Sequence, residues 1–227
     1  MVTFLYILFG FISIIAILAL TFAAFSFPFK SYLLEISIIA VILSVVSYVD
    51  RFMVLSLKPY DTAIQYILCI LLFRYLLKVR LIESQTVVSI GFLYYAGVQY
   101  IVIPLLFASG IVSENDPLTF DHIGIYIIEL ITQFICFLIS FLLYKFNLGH
   151  SHISAPPQDL YIHKNFTKLR ILTLISNSLS MIIICSIVYW FLLNYSNALY
   201  IILPSVAAAI LALTFLSYLE DYSRKKV

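Results

Sequence analysis

Glu129 stands in YIIELITQF, residues 126–134, a run that is otherwise largely apolar. Steps of three and four lead from Tyr126 to Glu129, Gln133, Cys136 and Ser140, which places these side chains along one helical face and leaves Ile, Leu and Phe on the others. An ionisable group turned toward hydrocarbon costs about 3 kcal/mol on insertion scales, so the stripe is expected to face other helices. A carboxylate so placed can recognise a ligand, bind a cation or couple to protons. The packing alternative is a neutral acid hydrogen-bonded to a neighbouring helix, an interaction of about 1 kcal/mol.

Partners follow from depth. Counted from Ile123 at helical rise, Glu129 lies about 9 Å below one membrane surface. Gln99 is about as deep as Gln133 and belongs to the preceding apolar run, while Gln65 is shallower. The candidate ligand or ion site is therefore Glu129, Gln133, Gln99 and Gln65.

The remaining reactive residue types point away from catalysis. Cys69, Cys136 and Cys185 are far apart and each lies in an apolar run, as small hydrophobes do. His150, His152 and His163 have no metal-site spacing, so they are expected to be solvated, and neither a metal nor a cofactor is expected. Motifs for metalloproteases, phosphate loops and serine hydrolases are missing, and no histidine lies at the depth of a cysteine. No enzyme is expected. Glu35 and Arg74 sit near span ends, where snorkelling to headgroups accounts for them without an ion pair. No basic run is long enough for nucleic acid.

The elements that position these residues must sit in lipid. Of 227 residues, 63% are hydrophobic and only 11% charged, more apolar surface than a water-soluble domain can bury. The hydrocarbon core is about 30 Å thick, which needs roughly 20 apolar residues per helix. Candidate spans run about 2–25, 31–49, 62–78, 87–110, 123–146, 171–193 and 198–219, a single all-α polytopic bundle of about seven spans. The third is short and carries Arg74 near its end. Pro28, Pro59, Pro117, Pro156 and Pro157 mark the connections, of which only residues 147–170 form a long loop. No Lys or Arg precedes the first apolar run, which reads as a retained anchor.

Orientation follows from the basic residues. One set of loops and the tail holds eleven Lys and Arg, from Lys30 to Lys226, and the other holds only Arg51 and Lys58. The rich side is expected to be cytoplasmic, with the amino terminus outside and residues 147–170 inside. Asp50, Asp61, Glu114, Asp116 and Asp121 then fall outside. Ser37, Ala40, Ser44 and Ser47, like Thr173, Asn177 and Ser180, have the spacing of faces where helices approach closely. Pro104 and Pro204 fall inside the fourth and seventh spans and are expected to bend them.

The layout of seven spans with short external loops, and the stretch IIELITQFICFLISFLLYKFNLG followed by a basic, Pro-containing loop, resemble the membrane sensor region of Gram-positive peptide-pheromone receptor histidine kinases. That resemblance implies recognition of a secreted peptide from outside a bacterial plasma membrane. A phosphoacceptor helix and an ATP-binding domain have no counterpart in these residues, so kinase activity is not carried over and no ligand residue is transferred. The expected function is a sensor-like or regulatory domain acting through a membrane or cytoplasmic signalling partner. A small transporter or channel component using Glu129 and a membrane protein of peptide immunity are the alternatives.

Overall fold

The computed structural model describes residues 2–54, 60–113, 123–150, 153–158, 171–182 and 195–225. Several expectations lie outside them: Cys185, His152, His163, Pro59, Pro117, Glu114, Asp116, Asp121, Lys58 and Lys226, the second half of the sixth span, and residues 159–170 with their three basic side chains. The described chain is helical throughout, with no strand among the described residues.

The helices are α1 (Val2–Ala24), α2 (Leu33–Tyr48), α3 (Asp61–Tyr75), α4 (Leu81–Ala108), α5 (Ile123–Lys145), α6 (Ile171–Ile182) and α7 (Tyr195–Lys225). A 3-10 turn, Phe29–Tyr32, leads into α2, and a π turn, Val49–Met53, prolongs it. Segments Thr3–Ala24, Phe29–Met53, Leu81–Ala108 and Ile123–Lys145 are long and apolar enough to cross a membrane. The 15 residues of α3 rise about 22 Å, short of a hydrocarbon core. Pro104 and Pro204 stand inside α4 and α7.

Burial along α5 is the reverse of a water-soluble helix. Gln133 is 3% exposed and Phe134 is 69% exposed; Thr132, Cys136 and Ser140 are also buried, whereas Leu130, Leu138 and Phe141 face outward. In α2, Ala40, Ser44 and Ser47 are buried while Leu34, Val41 and Val45 are exposed. Only a lipid solvent makes large apolar side chains outside and small or polar ones inside the favourable arrangement. The chain is thus compatible with a membrane protein.

Helices α1 and α4 form the centre. The first packs against α2, α4 and α5, and the second also meets α3 and α7. Their approach depends on Gly91, where an added Cβ would collide with the Thr21 hydroxyl. Thr21 itself donates to the Ile17 carbonyl at 2.7 Å. Asn177 of α6 donates to Thr86 of α4 at 2.8 Å, and Thr173, Asn177 and Ser180 are all buried. Ser37 is the exposed exception in the α2 stripe.

The two ends of the bundle differ. At the end holding the C-termini of α1, α3 and α5, Phe22 packs edge-on against Phe27, Phe29 and Phe73 with ring centroids 5.6, 5.8 and 6.3 Å away. The α1 terminus turns at Ser26, φ 54°, with the Phe27 amide donating to Phe22 O at 2.8 Å; the Phe22–Phe27 contact is the apolar partner such a cap recruits. After α5 turns at Asn147, the His150 amide donates to Ala24 O at 2.6 Å. Gly149 lies where a Cβ would come within 2.8 Å of Ala23 O, so only glycine allows this approach.

Residues 153–158 continue across the same end. Ile153 is buried, Tyr32 donates to Pro156 O, and Gln158 closes the α3–α4 turn. The Gln158 amide donates to Lys78 O at 3.0 Å, and its Oε1 accepts from the Arg80 amide at 3.0 Å. The expectation that residues 147–170 form a solvated loop is corrected for this part: the Ala24 carbonyl at the end of α1, and the Lys78 carbonyl and Arg80 amide between α3 and α4, recruit the segment as a strap.

Candidate functional site

The opposite end holds the Arg51–Asp61 ion pair. Asp61, the first residue of α3, is 1% exposed and is held by three donors. Arg51 Nε lies 2.5 Å from Asp61 Oδ2, Ser47 Oγ donates to the same oxygen at 3.2 Å, and Gln65 Nε2 donates to Oδ1 at 2.8 Å. Tyr6 of α1 extends the network to Ser47, oxygen to oxygen 2.9 Å. These partners come from α1, from the end of α2 with its π turn, and from α3. The π turn allows Asp50 and Arg51 to follow the Ser44–Ser47 face into the bundle rather than leave it.

Glu129 enters from α5. It is half-buried and interacts electrostatically with Arg51, Tyr6 and Tyr95. Tyr126, three residues earlier, packs on Phe9 of α1 with ring centroids 5.1 Å apart. One turn further along, Gln133 Nε2 donates to Phe9 O at 3.1 Å and to Ser13 Oγ at 2.8 Å. Tyr95 of α4 donates to the same Ser13 hydroxyl at 3.2 Å. A polar path therefore runs from Asp61 through Ser47 and Tyr6 to the vicinity of Glu129, and a second knot at Ser13 joins α1, α4 and α5.

Of the four residues singled out from sequence, Gln65 belongs to the Asp61 network and Glu129 interacts electrostatically with Arg51. Gln133 is buried on the predicted stripe, but its partners are on α1 rather than on α4. Gln99 is half-buried on α4 and makes no hydrogen bond among the described residues; Tyr95, one turn away, takes the place expected for it. Asp61, Arg51, Ser47, Tyr6 and Ser13 were not singled out. Their signal is present: Arg51 prolongs the stripe of Ala40, Ser44 and Ser47 by four residues, and Asp61 and Gln65 are one turn apart. Cys69 and Cys136 are buried free thiols. The ion pairs among the described residues are Arg51–Asp61 and Arg80–Glu83.

No protein-family model matches the chain, and no curated protein or solved structure is detectably similar to it.

Proposed function

We propose that this chain is a multi-pass plasma-membrane protein, of bacterial type, acting as a sensor-like or regulatory domain: its outer end recognises a ligand and its inner end reports to a partner protein. The observation that carries the reading is the cluster of charged and amide side chains around Asp61. Asp61, Arg51, Gln65 and Glu129 gather at one end, while Phe22, Phe25, Phe27 and Phe73 are fully buried near the other, the end crossed by residues 146–150 and 153–158. Charged side chains within a bundle are costly and mark functional positions. In this reading, ligand occupancy acts through helix position. The excess of Lys and Arg on the strap side supports a cytoplasmic location for it. The resemblance to pheromone-receptor sensor regions fits the same arrangement.

A transport role is the second reading, favoured by Glu129, whose carboxylate has no hydrogen-bond partner among the described residues. Mild cross-linking in native membrane, followed by mass spectrometry, separates the two when combined with flux measurements. The sensor reading expects a discrete partner whose cross-linking changes with Glu129→Gln, and no uptake in proteoliposomes. Solute uptake by the purified chain, abolished by Glu129→Gln, would establish transport instead.

A further inference from the structure

The strap fixes three lysines at one end of the bundle. Lys78 offers its carbonyl to the Gln158 amide at 3.0 Å, and Tyr32, two residues after Lys30, donates to Pro156 O. Pro156 and Gln158 are two residues apart, at most about 7 Å along the chain, so the backbones near Lys30 and Lys78 are tied to neighbouring points of one short piece of strap. Lys145 ends α5, and five residues later the His150 amide returns to Ala24 O at the end of α1. All three lysines are exposed. Each strap anchor thus has a cationic side chain beside it on the surface.

Large rings accompany these cations. Tyr75 is 75% exposed, Tyr144 is 63% exposed and Phe146 is 60% exposed, and Lys145 Nζ lies 5.9 Å from the Phe146 ring centroid. Tyrosine and lysine side by side suit the headgroup level of a bilayer, where the ring is half in hydrocarbon and the ammonium reaches outward. Toward the middle of the bundle the surface turns wholly apolar, with Leu34 and Ile38 of α2 and Ile67 and Leu71 of α3 exposed. The partner that fits must present negative charge at the lysines and hydrocarbon directly next to it. An anionic phospholipid combines both in one molecule, whereas a soluble anion offers only the first. Resting on the reading of the chain as a membrane protein, we propose that the strap end is a docking surface for anionic phospholipid, with headgroups drawn to Lys30, Lys78 and Lys145 and acyl chains lying along α2, α3 and α5.

The test uses the full chain in nanodiscs of mixed phosphatidylcholine and phosphatidylglycerol, with a trace of either lipid carrying a photoreactive headgroup, and maps the cross-links by mass spectrometry. At residues 28–34, 75–79 and 144–148 the phosphatidylglycerol probe is expected to label at least about fivefold more than the phosphatidylcholine probe. The excess should vanish in the combined Lys30→Gln, Lys78→Gln, Lys145→Gln variant, persist in the combined Lys30→Arg, Lys78→Arg, Lys145→Arg variant, and fall at high salt. Thermal unfolding checks that both are folded, and each single Lys→Gln variant, read at its own segment, gives the same test if the combined one is not. Equal labelling by the two probes, or an excess that survives the glutamine substitutions, would overturn the proposal. Probes with the photoreactive group on the acyl chain separate this outcome from the membrane reading. If they label the exposed Phe134 and Phe141 of α5 while no headgroup preference is seen, only the anionic partner falls; if neither lipid labels α5, the membrane placement falls with it.

Discussion

Asp61 shows how much of a membrane site is decided by contacts remote in sequence. Its oxygens take donors from Arg51, ten residues earlier, from Ser47 and from Gln65. With a 1% exposed side chain, the carboxylate relies on these partners in place of water. Arg51→Ala is expected to destabilise the folded chain by about 3 kcal/mol, the lower end of the range for removing one partner of a buried pair, because Arg51 is itself 29% exposed. Pairing Arg51→Ala with Asp61→Ala should recover about 2 kcal/mol of the summed losses, measured as a double-mutant cycle in detergent unfolding. Additive losses would show that the pair is not coupled. Glu129 and Gln133 were legible in the sequence because a carboxylate and an amide interrupt a long apolar run. Asp61 and Arg51 were not, since each lies beside a span end where headgroup solvation is sufficient explanation for a charge.

The apolar runs made α1 and α5 readable almost to their ends, whereas α4 begins at Leu81, six residues before the expected start at 87, and the Glu129-to-Ser140 spacing identified the face of α5 that turns inward. The strap was hidden for the opposite reason. Its sequence, NLGHSHISAPPQ, is polar and turn-rich, as a solvated loop would be, and its role arises from carbonyls that only folding brings together. Positive φ at Ser26, Lys78 and Asn147, rather than at glycines, removed the usual sign of helix termination. Gln158 makes the strap testable, because its side chain joins Ser154 O, at 2.7 Å, to the Arg80 amide. Gln158→Ala should leave the bundle folded and speed hydrogen exchange at the Arg80 amide by about tenfold, the equivalent of about 1.4 kcal/mol for one lost hydrogen bond. Unchanged exchange would mean that the strap does not stabilise the α3–α4 turn.

At the scale of the whole molecule, the arrangement acquires a direction only once a membrane is placed around it. Charge set by insertion and polarity set by packing are independent, yet they agree. The end with few Lys and Arg is the end with the buried ionic network, and the basic side is the one sealed by phenylalanines and crossed by the strap. In the proposed reading, a ligand arrives at the Glu129 end, and α5 connects that end to the strap through residues 146–150. This order requires Ser113, exposed at the Glu129 end, and Ser154, exposed at the strap, to lie on opposite sides of the membrane. With Cys69 and Cys136 buried and Cys185 changed to serine, Ser113→Cys should react with an impermeant maleimide in intact cells, whereas Ser154→Cys should react only after permeabilisation. The reverse labelling would place Glu129 in the cytoplasm and turn the proposed site into a receiver of internal ligands, with the Lys- and Arg-rich end left outside against the insertion rule.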